Sequence, residues 1–221
     1  MSKASVIKIA ASQIGYAEAP PGSNQTKYGM AFGWDGVPWC VIFLWWCFRD
    51  AGETTAFFAG AKTASCGTLF RWYKEQGLAV TMDKVKAGDL IFLNFHGGAD
   101  PEHVGLVESV VSGPVLEVTT IEGNTTPGLG MEGSQDNGGC VARKIRSRSQ
   151  IVGVARPKYK EAEMPKTDYE KHWAAKDIDW CIERGLMTGY PDGSFRPDQP
   201  VTRAEMAVII RRIIDYKEAG K

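Results

Sequence analysis

The chain has 221 residues, enough for one large domain or two smaller ones, and its 26 basic and 26 acidic side chains balance. Zero net charge provides no general attraction to nucleic acid or to an anionic membrane surface, and no stretch reaches the ~18 apolar residues of a membrane span. Five cysteines without a CxxC spacing argue against a zinc ribbon or a thioredoxin-type redox pair.

Residues from Met1 onward read as an amphipathic helix with Ile7, Ala10 or Ala11, and Ile14 on one face. Lys8 and Gln13 interrupt any continuous apolar core, so a signal peptide is not expected. On that reading the protein is made in the cytoplasm and reaches an outside substrate only after release. Ala19-Pro20-Pro21-Gly22-Ser23-Asn24 is a turn-rich break, and Tyr28 to Trp39 is expected to be a glycine- and aromatic-rich loop. That loop delivers the chain to Pro38-Trp39-Cys40, where an almost wholly apolar helical run begins and continues to Ala51-Gly52. A helix apolar on every side is buried. Cys40 then stands at a buried helix N-terminus, where unpaired N–H groups and the helix dipole favour a thiolate over a thiol. The alternative is that Cys40 is a small buried hydrophobe. Cys47 lies two turns further on, roughly 10.5 Å along the axis, too far for a disulfide with Cys40, and is expected only to pack.

A further helix is expected over Thr68 to Gln76, with Leu69, Trp72 and Tyr73 inward. From Lys84 the period changes, and Asp89–Phe95, His103–Val111 and Val115–Ile121 read as strands, the last two joined by a turn at Gly113-Pro114. Gly123 to Gly139 carries six glycines and reads as a mobile loop at the rim of a site. Strands resume at Val141–Ile145 and Ile151–Ala155. Helices followed by a run of strands give an α+β domain with an antiparallel sheet. Arg156-Pro157 closes this domain, 1–157, and the charge-alternating stretch 158–166 reads as a linker. In the tail, 167–221, Ala174, Ile178, and Cys181 or Ile182 form one helix face that Gly185 stops. After a turn at Tyr190-Pro191-Asp192-Gly193, Thr202 and Glu205 have capping-box spacing before a second helix with a stripe of Met206, Ile209 or Ile210, and Ile213. Two helices of this size enclose little core, so the tail is expected to lean on a partner surface.

A cysteine nucleophile needs a histidine to hold it as an ion pair and to protonate the leaving amine, and a polar group to orient that histidine. His103 opens a strand that can project over the buried helix end. Glu122 and Asn124, two apart at the end of the next strand, share a face while strand geometry holds, which brings one of them within reach of His103. His96, in the Phe95-His96-Gly97-Gly98 loop, is the competing base on a poorer mount.

On Trp39-Cys40, Lys86-Ala87-Gly88-Asp89-Leu90, His103-Val104-Gly105 and Glu122-Gly123-Asn124, in this order, residues 1–157 resemble a CHAP domain, the cysteine- and histidine-dependent amidohydrolase/peptidase family with a papain-like fold. The resemblance implies Cys40 as nucleophile, His103 as base, and Glu122 with Asn124 to orient and polarise it. It also implies cleavage of a peptidoglycan amide bond, as an N-acetylmuramoyl-L-alanine amidase or an endopeptidase. Some members bind calcium in an acidic loop ahead of the cysteine; here that loop offers only Asp35, so no metal or other cofactor is expected. On His172-Trp173-Ala174, Gly189-Tyr190-Pro191-Asp192-Gly193-Ser194-Phe195-Arg196-Pro197 and Thr202-Arg203-Ala204-Glu205, the tail resembles a single S-layer homology module, expected to be small and all-α. That resemblance implies binding of an anionic, pyruvylated wall polysaccharide, with Arg203 on its carboxylate. Trp173 either stacks on a sugar or is a core tryptophan. Such modules commonly occur in threes, so a lone copy either self-associates or binds weakly. The basic run Arg143 to Arg148 reads as a solvated strand edge, with weak attraction to anionic wall polymers as the alternative.

Together these features imply a peptidoglycan hydrolase released in the manner of a phage endolysin and bacteriolytic in effect. The competing class is a wall-binding protein that uses the CHAP fold as a non-catalytic scaffold.

Overall fold

The computed structural model describes residues 3–111, 117–130, 133–160, 168–190 and 193–218. The chain separates into two compact units, Met1–Glu161 and Ala162–Lys221.

In the first unit, helices α1 (Lys3–Ala11), α2 (Lys27–Phe32), α3 (Cys40–Asp50) and α4 (Cys66–Glu75) precede strands β1 (Leu90–Leu93), β2 (His103–Val111), β3 (Glu117–Thr125), β4 (Cys140–Ser147) and β5 (Ile151–Ala155). The strands form one antiparallel sheet in the order β4-β3-β2-β1-β5. The unit is therefore α+β. The turn expected at Gly113-Pro114 lies outside the described residues, but the antiparallel pairing of β2 with β3 is present.

The run of apolar residues from Cys40 has the burial its composition demands: all but three residues of α3 are buried. It packs against α1 and α2 and against β2 and β3. Gly123 allows the closest of these approaches, because a Cβ there would lie 2.6 Å from Cβ of Phe43. Gly105 does the same on β2, where a Cβ would lie 2.8 Å from Cγ of Glu122. These two glycines let α3, β2 and β3 converge where the chemistry-bearing side chains sit.

Local forces beyond hydrophobic periodicity account for several differences from the sequence reading. In α1 the buried residues are Val6 and Ala10, while Ile14 lies beyond the helix end and is exposed. The loop expected over Tyr28 to Trp39 starts with α2: the Thr26 hydroxyl accepts from Gly29 N–H, the Asp35 carboxylate accepts from Thr26 N–H, and Gly33 ends the helix at φ 82°. Residues 158–160, read as the start of a linker, belong to the first unit. Tyr159 stacks on Phe48, its hydroxyl donates to Gly88 O, and Lys160 N–H donates to Glu53. Residues 161–167 lie outside the described ones.

The basic run on β4 is the largest departure. Lys144 and Arg146 are fully buried, whereas Arg143 and Ile145 are exposed. The strand presents Lys144 and Arg146 inward because each has a partner there: the Lys144 ammonium donates to Thr126 Oγ1 and Gly130 O, and Arg146 meets Glu122.

In the second unit the described elements are α5 (Ala175–Glu183) and α6 (Arg203–Glu218). Tyr169, Ile178 and Leu186 are buried, and the Asp168 carboxylate accepts from the N–H groups of Phe195 and Arg196. The capping box at α6 is formed, Thr202 Oγ1 accepting from Glu205 N–H while the Glu205 carboxylate accepts from Thr202 N–H. The apolar stripe is not inward, however. No residue of α6 is buried, and Met206, Ile210, Ile213 and Ile214 are all exposed. A unit this small has too little core to cover that face.

Candidate active site

Cys40 is the first residue of α3. Its N-cap, Trp39, supplies no side-chain hydrogen bond, and the first intrahelical bond runs from Phe43 N–H to Trp39 O. The N–H groups of Cys40, Val41 and Ile42 are thus left without intrahelical partners at the head of the helix. Trp39 is itself fixed, its indole N–H donating to Glu18 and its ring stacking on Tyr28. His103, the first residue of β2, and Glu122, on β3, are both 0% exposed, and Cys40 is 3% exposed.

The connections run in a chain. His103 Nε2 bonds Glu122 Oε2 at 3.0 Å. Glu122 Oε1 accepts from Thr120 Oγ1 at 2.6 Å and from Arg146 Nε at 2.8 Å, while Arg146 Nη2 meets Oε2, so the guanidinium grips the carboxylate with two prongs. The Arg146 guanidinium also lies over the Phe95 ring and bonds Gln135 Oε1. With Nε2 committed to Glu122, His103 Nδ1 is a buried ring nitrogen with no hydrogen-bond partner among the described residues, the one turned to the Cys40 side of the imidazole. Cys66, first residue of α4, completes the group with its Sγ 3.6 Å from that of Cys40.

The charges follow from these contacts. Cys40 is held well below the usual thiol value by a hydrogen bond from Cys66, opposed by burial and then reinforced by His103 and by Val41 N–H. Burial alone disfavours a charged His103, but the neighbouring Cys40 and the hydrogen-bonded Glu122 outweigh it and push the imidazole up to about 9. Burial likewise opposes a charged Glu122, and Arg146 with His103 overrides it, holding the carboxyl down at about 2. These directions favour a thiolate–imidazolium pair backed by a carboxylate–guanidinium pair. Cys47, by contrast, is pushed well above the thiol range by burial and only packs.

This pairing fixes a pH profile. The imidazole of His103, followed by NMR, should titrate through about pH 9. Glu122→Gln removes one of the two influences that hold that proton and should move the midpoint to lower pH. A midpoint unmoved in the variant would separate Glu122 from His103.

Asn124 does not join the chain. The pairing of β3 with β4 shifts register between Glu122 and Thr125, and Asn124 has φ 59°. That left-handed residue breaks the alternation on which a shared face depends. Its amide instead holds the glycine-rich loop, donating to Asp136 O and Asn137 Oδ1 and accepting from Gly139 N–H. His96 is exposed and pairs with Glu102 at 2.8 Å. His96, Glu102 and Asp136 together place three ligand-type atoms within 4.8 Å of one another, while Asp35 is engaged at the start of α2. Arg146 and Cys66 were not singled out from sequence. The only sequence signal for either was Ser65, a helix cap immediately before Cys66, and it is weak.

In the second unit Trp173 is 88% exposed, which removes the core reading, and Arg203 is exposed on the first turn of α6. A groove of about 540 Å³ in the same unit is lined by Tyr190, Arg196, Gln199, Glu205 and Arg212 among others, and neither Trp173 nor Arg203 lines it.

The family profile described as the CHAP domain matches residues 32–124, a span that contains Cys40, His103 and Glu122, and the S-layer homology domain profile matches 167–207. The chain carries a CHAP domain and an S-layer homology domain. Relatives include outer membrane protein SlpA of Deinococcus radiodurans, 48% identical over 50 residues (23% of this chain, 4% of that protein). Cell surface glycoprotein 1 of Acetivibrio thermocellus is 51% identical over 41 residues (19% and 2%), and S-layer protein EA1 of Bacillus anthracis is 39% identical over 44 (20% and 5%). The chain thus spans only a few per cent of these relatives. The crystal structure of Ly7917 aligns over 71% of this chain and 63% of its own at a TM-score of 0.41 and 19% identity, and Ly7917 with the hydrolyzing product of MDP aligns at 0.40 and 19% over 70% and 62%.

The S-layer homology domain and its surface-protein relatives overturn the expected location. They point to the cell surface, not to a cytoplasmic protein awaiting phage-type release. Packing of α1 into the CHAP-bearing unit is a fact about folding and carries no information on location.

Proposed function

We propose that this protein is a cell-surface hydrolase that cuts an amide bond of peptidoglycan by thiolate catalysis and is held to the wall by its S-layer homology domain. The observation that carries the proposal is the buried line from Cys40 through His103 and Glu122 to Arg146, placed at a helix start with uncapped N–H groups. In the reaction the Cys40 sulfur attacks the amide carbon, and the oxyanion is met by N–H groups at the head of α3. The His103 imidazolium protonates the departing amine as the C–N bond breaks, leaving a thioester. Water, deprotonated by the now neutral His103, attacks the thioester; the carboxylic acid leaves and the thiolate–imidazolium pair is restored. Glu122 keeps the imidazole oriented and stabilises its charge, and Arg146 keeps Glu122 ionised.

An amidase at the muramoyl–alanine bond and an endopeptidase within the peptides use the same steps. The loop between β3 and β4, tied down by Asn124 and Lys144, shapes the groove that selects between them. Mass spectrometry of fragments released from purified walls distinguishes them: free alanine amino termini with intact glycans mark the amidase, and severed peptides mark the endopeptidase. Fragments carrying only new sugar reducing ends would overturn amide cleavage.

For wall attachment, the exposed indole of Trp173 suits stacking on a sugar, and the exposed Arg203 suits an anionic group on a secondary wall polysaccharide. The uncovered apolar face of α6 supports self-association of this domain in place of the usual three copies. Deleting residues 165–221 should lower the fraction of protein that pellets with walls while Cys40-dependent cleavage remains. Trp173→Ala and Arg203→Ala should each weaken pelleting several-fold. Unchanged pelleting in the deletion would remove the targeting role.

A further inference from the structure

We propose that Cys66 is a resolving thiol for Cys40, so that a hydroperoxide converts the site to a Cys40–Cys66 disulfide and a small-molecule thiol restores it. The two sulfurs are 3.6 Å apart, on different helices and 26 positions apart in sequence. Each is the first residue of its helix, Cys40 on α3 and Cys66 on α4, so two positive helix ends converge on the pair. Beside the Cys40 thiolate, Cys66 is held well above the usual thiol value by its hydrogen bond to Cys40 and by burial, so it stays protonated at rest; once Cys40 is a neutral sulfenic acid, that hydrogen bond and that charge no longer oppose attack by Cys66. Neither is more than 7% exposed, and Cys40 adjoins the His103 imidazole. Of the other described cysteines in this unit, Cys47 lies two turns into α3, and the Cys140 thiol donates to Thr125 O at 2.8 Å.

The chemistry balances without further reactants. The Cys40 thiolate attacks the distal oxygen of the hydroperoxide. The O–O bond breaks, the departing alkoxide or hydroxide takes the His103 proton and leaves as alcohol or water, and Cys40 becomes a sulfenic acid. Cys66 sulfur then attacks Cys40 Sγ, its proton and the sulfenic hydroxyl leave as water, and the S–S bond forms. Two electrons pass from the two thiols to the peroxide. The sulfurs must close to about 2.05 Å, a movement of about 1.5 Å that rotation of two side chains at helix starts can supply. In the reduced protein the same proximity lets Cys66 S–H donate to the Cys40 thiolate. Oxidation thus removes the nucleophile while protecting it from the irreversible sulfinic and sulfonic stages.

Loss and recovery of activity under this scheme rest on Cys40 being the nucleophile proposed above; formation of the disulfide does not. The full chain is reduced, freed of reductant, exposed to a small excess of hydrogen peroxide and mapped by non-reducing peptide mass spectrometry, with wall turbidity loss followed in parallel. The expected result is a cross-linked peptide joining Cys40 to Cys66, lighter by two hydrogens than its parts, together with at least a tenfold fall in turbidity loss that dithiothreitol reverses. In Cys66→Ser, peroxide should leave added oxygens on Cys40 and a loss that dithiothreitol does not reverse. Absence of the cross-link in wild-type protein whose reduced form clears walls in a Cys40-dependent way overturns the resolving role and leaves the hydrolase standing. A cross-link in a protein whose Cys40→Ala variant clears walls equally well overturns Cys40 as the nucleophile and leaves the disulfide standing. Wild-type mapping decides the matter even if Cys66→Ser does not fold.

Discussion

Cys40→Ala is expected to lower turbidity loss of purified walls by about 10⁴-fold or more, because removing the nucleophile of a covalent mechanism removes the pathway itself. His103→Ala should cost about as much, and the double variant little more, since groups that act as a unit are far from additive. Binding should persist in Cys40→Ala, because the residue is one small side chain at the head of a helix that stays buried on every side. Low-pH labelling provides a second, independent reading. With Cys40 held below the usual thiol value, iodoacetamide should modify it in preference to Cys47, which burial keeps protonated. Equal clearing by native protein and Cys40→Ala would sink the thiolate mechanism, whereas clearing by neither would favour the non-catalytic scaffold.

Arg146→Met is expected to destabilise the first unit by about 3–5 kcal/mol, the cost of stranding a buried charge by deleting its partner. Urea unfolding would show this as a lower midpoint with little change in slope. The sign with pH is fixed by Glu122. Its carboxyl is held at about 2 in the folded protein against an ordinary 4.5, so its contribution is fully present above about pH 4.5 and is lost as pH falls towards 2. Arg146→Met should flatten that acid dependence. Adding Glu122→Gln to Arg146→Met should recover much of the stability, because a neutral amide needs no cation, while activity stays low because His103 has lost its charged support. Arg146→Lys should fall between, one ammonium replacing a two-pronged guanidinium. An additive double-mutant cycle would show that Arg146 and Glu122 do not act as a pair.

Some of the site was legible because its signals are local. A proline-led turn, a cysteine and an unbroken apolar run are enough to place Cys40 at the head of a buried helix, since burial follows from composition and the cap from the turn. Alternation placed His103 at the start of one strand and Glu122 near the end of the next, and antiparallel pairing does bring them together. The same alternation misplaced Asn124, because a single left-handed residue at a bulge reverses a face and leaves no mark in the hydrophobic pattern. It also misread Arg146 as solvated: a charged residue on a strand looks alike whether it faces water or a buried carboxylate.

Local patterning, then, was enough for an α+β unit, for the buried helix with Cys40 at its head, and for the strand that His103 opens. These rest on periodicity and turn chemistry, which act over a few residues. Only the tertiary structure decided that Arg146 anchors Glu122, that Asn124 serves the loop, that Trp173 faces solvent, and that Cys66 stands 3.6 Å from Cys40. Each of these depends on which surfaces meet across tens of residues of chain, and close packing settles that where local propensity cannot.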